Sequence, residues 1–216
     1  MKFDEGVKPK HRKSIKVAIA TIIEHGNDFH RHLMNEIVAS DMLFRVQPVA
    51  EINASGRTGA ISVISTNLRL ARERLSLRDA LGEIYIVFAT ETLASQRGCE
   101  GTLVHEGRHA YDFAQTLSSL SNADMNPLDV FNPSLYELEW EAHKTAGDYM
   151  ISIGKQEYLD EGLQLMILGL GADGSCFVSD DGIKQRLNEN YGLALGGNLG
   201  HTASQMMGLV IDQYGI

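Results

Sequence analysis

The sequence predicts an α+β fold in which a small sheet and a long helix form a first lobe and a helical second lobe follows. Short strand-like runs occur only in the first half of the chain, between helical patterns. A polar stretch from residue 118 to 133 then separates two helical segments, and the remainder is rich in glycine. With 216 residues, 44% of them hydrophobic, the chain suits a single domain over 1–216, with lobes at about 14–120 and 133–216.

The first segment, Ser14 to Ser40, is predicted to be one long helix or two consecutive helices. Its apolar residues recur mostly at three- and four-residue steps, which places them near one helix face. Gly26-Asn27-Asp28 is a candidate interruption. His30 and His32 lie two positions apart and point in different directions on a helix, so we predict no metal site there.

The next segment has the alternation and turn residues of strands. A turn-rich stretch, 53–59, separates the first two predicted strands, and Leu68 to Leu81 suits a surface helix. The predicted strands are Leu43 to Ala50, Ala60 to Ser65 and Glu83 to Ala89.

Two further helices are predicted on either side of the polar linker. The first spans Thr90 to Leu117, and the second runs from Ser134 to about Gly154. Ser134 is a candidate N-cap with Glu137, three positions on, as its capping-box partner. Beyond Gly154, glycine pairs and triplets predict tight turns between short helices. A G-x-G-x-x-G string at 169–174 lacks the following helix that a dinucleotide site needs.

The charge and composition exclude several functional classes. A net charge of -9 argues against a nucleic-acid partner, and the basic N-terminal stretch is predicted to be a solvated terminus. No signal peptide is visible, and the longest apolar stretches are too short to span a bilayer, so no membrane partner is predicted. The two cysteines, Cys99 and Cys176, show neither disulfide nor metal-ligand spacing. A cytoplasmic location is expected, although export without a cleaved signal would leave the same pattern.

The informative motif is H-E-x-x-H at residues 105–109, within the predicted helix. Residues four apart share one helix face, so His105 and His109 can bind one metal ion. Glu106 lies about 100° further round the helix, beside the metal, where a carboxylate can act as general base toward a metal-bound water. Zinc is the metal that this ligand type favours, at one ion per chain, and manganese or cobalt can substitute in such a site.

A catalytic zinc normally takes three protein ligands, so a third must come from elsewhere. The candidates lie in the helix after Ser134, where Glu137, Glu139 and Glu141 occupy alternate positions. Residues two apart cannot all face one way on a helix, so the choice among these three stays open.

Together the two motifs resemble the gluzincins, the zinc peptidases that include thermolysin. In that group a second helix carries a glutamate ligand followed, three residues later, by a small residue, and Glu139-Trp140-Glu141-Ala142 fits that pattern. The resemblance implies a zincin-like fold, His105, His109 and Glu139 as zinc ligands, and Glu106 as general base. It covers about 50 residues and identifies no particular member.

This sequence departs from the gluzincins at His143, where the group usually has a carboxylate or amide. His143 lies on the face of Glu139 and is predicted to bond a ligand or to contact substrate. In the alternative arrangement, Glu137 is the zinc ligand and Glu141 is the carboxylate that hydrogen-bonds a ligand histidine. Asp112, three residues after His109, is another candidate partner of a ligand histidine.

Donors to a tetrahedral oxyanion are expected from the second lobe, and the candidates are Tyr158, Tyr191 and His201.

The function predicted from the sequence is zinc-dependent hydrolysis of a peptide or protein substrate. One alternative is a narrowly specific regulatory or toxin-like cytoplasmic peptidase with little activity on generic substrates. The other is a metal-binding interaction module without turnover, against which the intact Glu106 argues. The sequence predicts no oligomeric state.

Overall fold

A small mixed sheet lies in the first half of the chain. The structure is a computed structural model that describes residues 1–122, 130–163 and 167–209. The sheet has the order β1-β2-β4-β3, with β1, β2 and β4 parallel and β3 antiparallel to β4. Long helices pack against it, which confirms the α+β class. The strands are β1 (Lys2–Phe3), β2 (Leu43–Gln47), β3 (Gly56–Ala60) and β4 (Ile84–Ala89).

Strand β4 lies inside the sheet, between β2 and β3. Five of its six residues are buried, as expected for a strand that is covered on both faces. Its position in the sequence, just before the H-E-x-x-H helix, suggests an edge for pairing with substrate, and that interpretation is wrong. Among the described residues the edge strands are β1 and β3, and Gly56 to Ala60 of β3 pair with Phe88 to Ile84 of β4.

The N-terminal segment forms two helices, α1 (Pro9–His25) and α2 (Asp28–Ala39), as one of the two predicted arrangements. Asn27 is the N-cap of α2, and its side-chain oxygen accepts the backbone N–H of His30. The Nδ1 atom of His30 in turn accepts the backbone N–H of Asn27 at 3.1 Å. This reciprocal cap stops α1 and restarts the chain as α2.

The residues between β2 and β4 differ from the prediction. Only Ala60 of the predicted strand Ala60 to Ser65 lies in β3, because Ser62 caps a helix through its hydroxyl, which accepts the N–H of Ser65. The predicted surface helix is broken in two by residues 71–76. The helices here are α3 (Val49–Ile52), α4 (Val63–Leu70) and α5 (Leu77–Leu81).

The central element is α6 (Gln96–Ser121), a 26-residue helix that follows a short 3₁₀ turn at Thr92–Ala94. The hydroxyl of Ser95 caps it by accepting the N–H of Gly98 at 2.8 Å. More than half of its residues are buried, because α1, α2, α5, α7 and the sheet all pack around it. Because so many elements pack against it, α6 forms the centre of the hydrophobic core.

Helix α7 (Leu135–Ile153) begins at the predicted capping box of Ser134 and Glu137, which is confirmed. After α8 (Lys155–Asp160), the chain forms an antiparallel hairpin, β5 (Leu168–Leu170) and β6 (Cys176–Val178), that the sequence did not predict. The elements that close the described chain are α9 (Asp180–Tyr191) and α10 (Ala203–Met206).

The main core contains residues from both predicted lobes, including Leu138 and Tyr149 of α7 with Leu103 and Phe113 of α6. A second, smaller core lies between α7 and α9 and includes Ile183 and Leu187. The division into lobes stays a prediction, and part of the predicted linker, 123–129, lies outside the described residues. Within the described ranges, no helix combines the length and the apolar character needed to cross a membrane.

His30 connects α2 to α7 in a way that depends on its protonation state. Its Nε2 lies 2.9 Å from the carbonyl oxygen of Thr145 while Nδ1 accepts an N–H, so the neutral ring satisfies both contacts. Burial lowers the pKa of His30 from about 6.5 in the folded protein. As the pH falls through about 6.5, His30 takes up a proton in the unfolded chain before it does so in the folded chain, so acid destabilises the fold.

We therefore expect His30→Gln to lower the free energy of unfolding by about 1–2 kcal/mol near neutral pH. The variant should also lose less stability than wild type between about pH 7.5 and 5.5, because its side chain does not titrate. Urea denaturation at several pH values measures both effects. His25→Gln, at the exposed end of α1, is the control and should follow wild type. An equal loss of stability on acidification in wild type and His30→Gln would contradict the assignment.

Candidate metal centre

Three side chains converge between α6 and α7 with their ligand atoms close together. His105 Nε2 and His109 Nε2 lie 3.1 Å apart. One oxygen of Glu139 is 3.4 Å from His105 Nε2, and the other is 3.4 Å from His109 Nε2. His109 and Glu139 are buried and His105 is half-buried. This arrangement can hold a metal ion with two nitrogen ligands and one carboxylate ligand.

The structure also separates the three glutamates among which the sequence left a choice. Glu137 closes the capping box of α7, where its carboxylate accepts the N–H and hydroxyl of Ser134. Glu141 is half-buried and lies 3.5 Å from Arg108. Only Glu139 faces the histidines, because it lies on the side of α7 that packs against α6.

A buried polar cluster ties α6 to α7 one turn before the motif. Glu100 of α6 is fully buried, and its carboxylate accepts hydrogen bonds from Arg97 at 2.6 Å and from the hydroxyl of Tyr149 at 2.9 Å. Gln96 donates to the other oxygen at 2.6 Å. Tyr149 belongs to α7, so this cluster fixes the distance and rotation of α7 relative to the histidines of α6.

The electrostatics of the three residues favour a carboxylate between two histidine rings. Burial raises the pKa of Glu139, but the contacts with His105 and His109, at 3.4 Å each, and the charge of both rings outweigh it and lower the pKa well below its usual value. Burial lowers the pKa of His109, and the contact with Glu139 and the charges of Glu139, Glu106 and Asp112 reverse that effect.

His143 lies directly beside the three residues. Its Nε2 is 3.7 Å from Glu139 Oε2, and its ring centroid is 4.7 Å from that of His105. Burial and the charge of His105 lower the pKa of His143 to about 3, which keeps the ring neutral. Its Nε2 has no hydrogen-bond partner within the described part of the chain, and the same is true of Glu139 Oε2.

Asp112 does not bond a ligand histidine. Both of its oxygens accept from Arg108 Nε, at 2.9 and 3.1 Å, and the buried Nδ1 of His109 has no partner among the described residues. Asp112 acts on His109 only through its charge, which raises the pKa of the ring.

Glu106 is buried and is held by the edge strand. The hydroxyl of Thr58 lies 2.8 Å from Glu106 Oε2 and 3.1 Å from the backbone oxygen of the same residue. Gly56, two positions earlier on β3, leaves room for the Glu106 stem, because a Cβ there would lie 2.8 Å from its Cγ. Sequence reasoning missed both residues, since G-R-T-G-A has the composition of a turn and lacks the large apolar residues of a strand.

The three candidate oxyanion donors occupy different places. Tyr191, at the end of α9, is an exposed residue, and burial of its phenol and the charge of Glu139 raise its pKa. Tyr158 is fully buried, and after burial itself the charge of Glu100 is what raises its pKa most. His201 is exposed, and its backbone oxygen accepts the N–H of Leu135. Of the two tyrosines, Tyr191 is the one whose pKa the charge of Glu139 raises.

Comparison with known proteins finds no match for this chain among family models, curated proteins or solved structures. Its own geometry is therefore the basis for a functional assignment.

The link between Glu100 and Tyr149 gives a stability prediction. Tyr149→Phe removes the hydroxyl that joins α7 to the buried carboxylate, and we expect the free energy of unfolding to fall by about 1–3 kcal/mol. Denaturation in urea measures the change. Tyr111→Phe is the matched control, because that hydroxyl makes only a 3.5 Å exposed contact with His32. Equal stabilities of the two variants would show that the Glu100 cluster does not hold the helices together.

Proposed function

We propose that the chain is a zinc-dependent peptidase of the zincin type, in which His105, His109 and Glu139 hold one zinc ion. The observation that carries the proposal is the set of ligand-atom distances, 3.1, 3.4 and 3.4 Å. A tetrahedral zinc with bonds of about 2.0–2.1 Å places its ligand atoms about 3.3 Å apart. The two 3.4 Å distances involve different oxygens of Glu139. With one ligand atom taken from each residue, the three atoms lie within 4.8 Å of one another, so a turn of the Glu139 carboxylate would bring one oxygen to the spacing that such an ion requires.

The donor set supports a catalytic site in preference to a structural one. Structural zinc sites in proteins are closed by four protein ligands, whereas catalytic sites use three and leave one position open. Among the described residues, one group of three ligand side chains meets the spacing, and it contains no cysteine. His143 lies outside this group, and its Nε2 is 3.7 Å from Glu139 Oε2, beyond hydrogen-bond distance.

When bound, zinc supplies Lewis-acid activation of water and of a substrate carbonyl. Glu106 is the residue beside the ligands that can accept a proton from water and deliver it to the leaving amine. Tyr191, whose pKa is raised by burial and by the charge of Glu139, is the candidate donor of a phenol hydrogen to the oxygen of an attacked carbonyl.

The free edge of β3 supports a peptide as the substrate. Within the described part of the chain no strand pairs with its outer side, and an extended peptide can add to such an edge as a further strand. Gly56 and Thr58 of this strand contact Glu106 or its stem, so a peptide on that edge would run past the proposed base. A small molecule would not need this edge.

Metal content tests the site directly. We expect purified wild-type protein to contain about one zinc per chain and Glu139→Ala to lose most of it, because two histidines alone bind the ion weakly. Glu141→Ala is the matched control, since that glutamate lies on the same helix and contacts Arg108 instead of the histidines, and it should keep its zinc. Elemental analysis of both variants decides the point. Full zinc in Glu139→Ala, or none in wild type after zinc is offered, would refute the site.

Replacement of the proposed base tests the reaction. Glu106→Gln should retain zinc but lower peptide hydrolysis by roughly 10²–10⁴-fold, the usual contribution of general acid–base catalysis. The assay is mass spectrometry of a mixed peptide library, which detects cleavage at any peptide bond. Glu141→Gln should cleave the library as wild type does. Cleavage by zinc-loaded Glu106→Gln at the wild-type rate would exclude Glu106 as the base.

A further inference from the structure

We infer that Thr58 is a positioning residue that fixes the orientation of the Glu106 carboxylate from the edge strand. The inference rests on the proposed function and names a residue that neither the H-E-x-x-H motif nor the glutamate helix contains. It is carried by the contact of the Thr58 hydroxyl with Glu106 Oε2 at 2.8 Å, between two elements 48 residues apart in sequence.

The direction of the hydrogen bond follows from its two acceptors. A threonine hydroxyl has a single proton to donate. It lies nearer to Glu106 Oε2, at 2.8 Å, than to the backbone oxygen of Glu106, at 3.1 Å. A carboxylate is also the stronger acceptor when it is ionised. The proton is therefore assigned to Oε2, which leaves the carboxylate without free rotation about its terminal bond.

The strand also limits where the Glu106 stem can lie. Gly56 and Thr58 are two residues apart on β3 and so point to the same face, toward α6. A Cβ at position 56 would lie 2.6 Å from Thr102 Cγ2 and 2.8 Å from Glu106 Cγ. Such distances are too short for any real contact, so Gly56 permits the approach of β3 to α6 that brings Thr58 into range.

The same strand therefore provides both the free edge for a peptide and the hydroxyl that holds the base. Pairing of a peptide with β3 would not disturb Thr58, because backbone pairing uses groups in the plane of the sheet and the side chain points out of it. The arrangement places the scissile bond and the base in a fixed relation through a single element. Misplacement of a reacting group by about 1 Å can cost 10²-fold in rate.

The test compares Thr58→Val, which keeps the shape and removes the hydroxyl, with Thr58→Ser, which restores it. We expect Thr58→Val to lower kcat roughly ten- to hundredfold with little change in KM, and Thr58→Ser to recover most of the rate. Zinc content should be unchanged in both. Thr66→Val is the matched control, because it also removes a threonine–glutamate hydrogen bond, from Thr66 to Glu83 at 3.0 Å, away from the site.

A second readout does not depend on turnover. Acetohydroxamate chelates zinc and donates a hydrogen bond to a neighbouring carboxylate, so its affinity for the zinc-loaded protein reports the placement of Glu106. Calorimetric titration should show affinity weakened about tenfold in Thr58→Val and near wild type in Thr58→Ser and Thr66→Val.

The outcomes separate this inference from the proposed function. Wild-type kcat and acetohydroxamate affinity in Thr58→Val, with activity lost in Glu106→Gln, would overturn the role of Thr58 and leave the peptidase assignment intact. If Thr58→Val lost enough zinc or enough folded protein to account for its lower kcat, Thr58 would have a structural role. That result would also overturn the inference. Wild-type protein that binds no zinc would overturn both.

Discussion

The packing of α7 against α6 is the constraint on which the site depends. His105 and His109 share one face of α6 by local helix geometry, but Glu139 reaches them only if α7 lies at the right distance and rotation. The fully buried Glu100, which accepts from Arg97 and from the Tyr149 hydroxyl, fixes that relation with charge-assisted hydrogen bonds. A buried carboxylate is costly unless its partners are in place, so the cluster penalises any shift of one helix along the other.

The same buried helix positions the sheet relative to the motif. Because α6 is covered by α1, α2, α5 and α7, its remaining surface meets β3, and that contact is close enough to require glycine at position 56. The edge strand thus approaches the residue between the two histidines. Glu106 is then held on one side by its helix and on the other by Thr58, which suits a group whose orientation affects a reaction.

Two helices in the second half of the chain carry candidate site residues. Helix α7 supplies Glu139 and the neutral His143, and α9 supplies Tyr191 at its end. The small core that includes Ile183 and Leu187 packs α9 against α7. His30 adds a link of another kind, since its neutral ring joins the cap of α2 to the backbone of α7. Helix α7 is thus held by contacts on several sides, although only one face carries the proposed ligand.

The sequence by itself determined the features that depend on local geometry. The four-residue spacing of His105 and His109, the intervening Glu106 and the capping box of Ser134 and Glu137 all follow from the periodicity and terminal hydrogen bonds of a helix. The buried strand before α6 was equally clear from its apolar run. The break at Gly26-Asn27 was foreseen only as one of two arrangements.

The tertiary structure determined the features that depend on which helices and strands pack together. Glu139 was favoured over Glu137 and Glu141 by resemblance, and only the facing of α7 toward α6 separates the three. The edge strand, Thr58, Gly56 and the β5–β6 hairpin escaped prediction because their residues are small or polar and their roles come from strand pairing and close approach. Hydrophobic periodicity reports which face of an element is buried, but it does not report which partner covers that face.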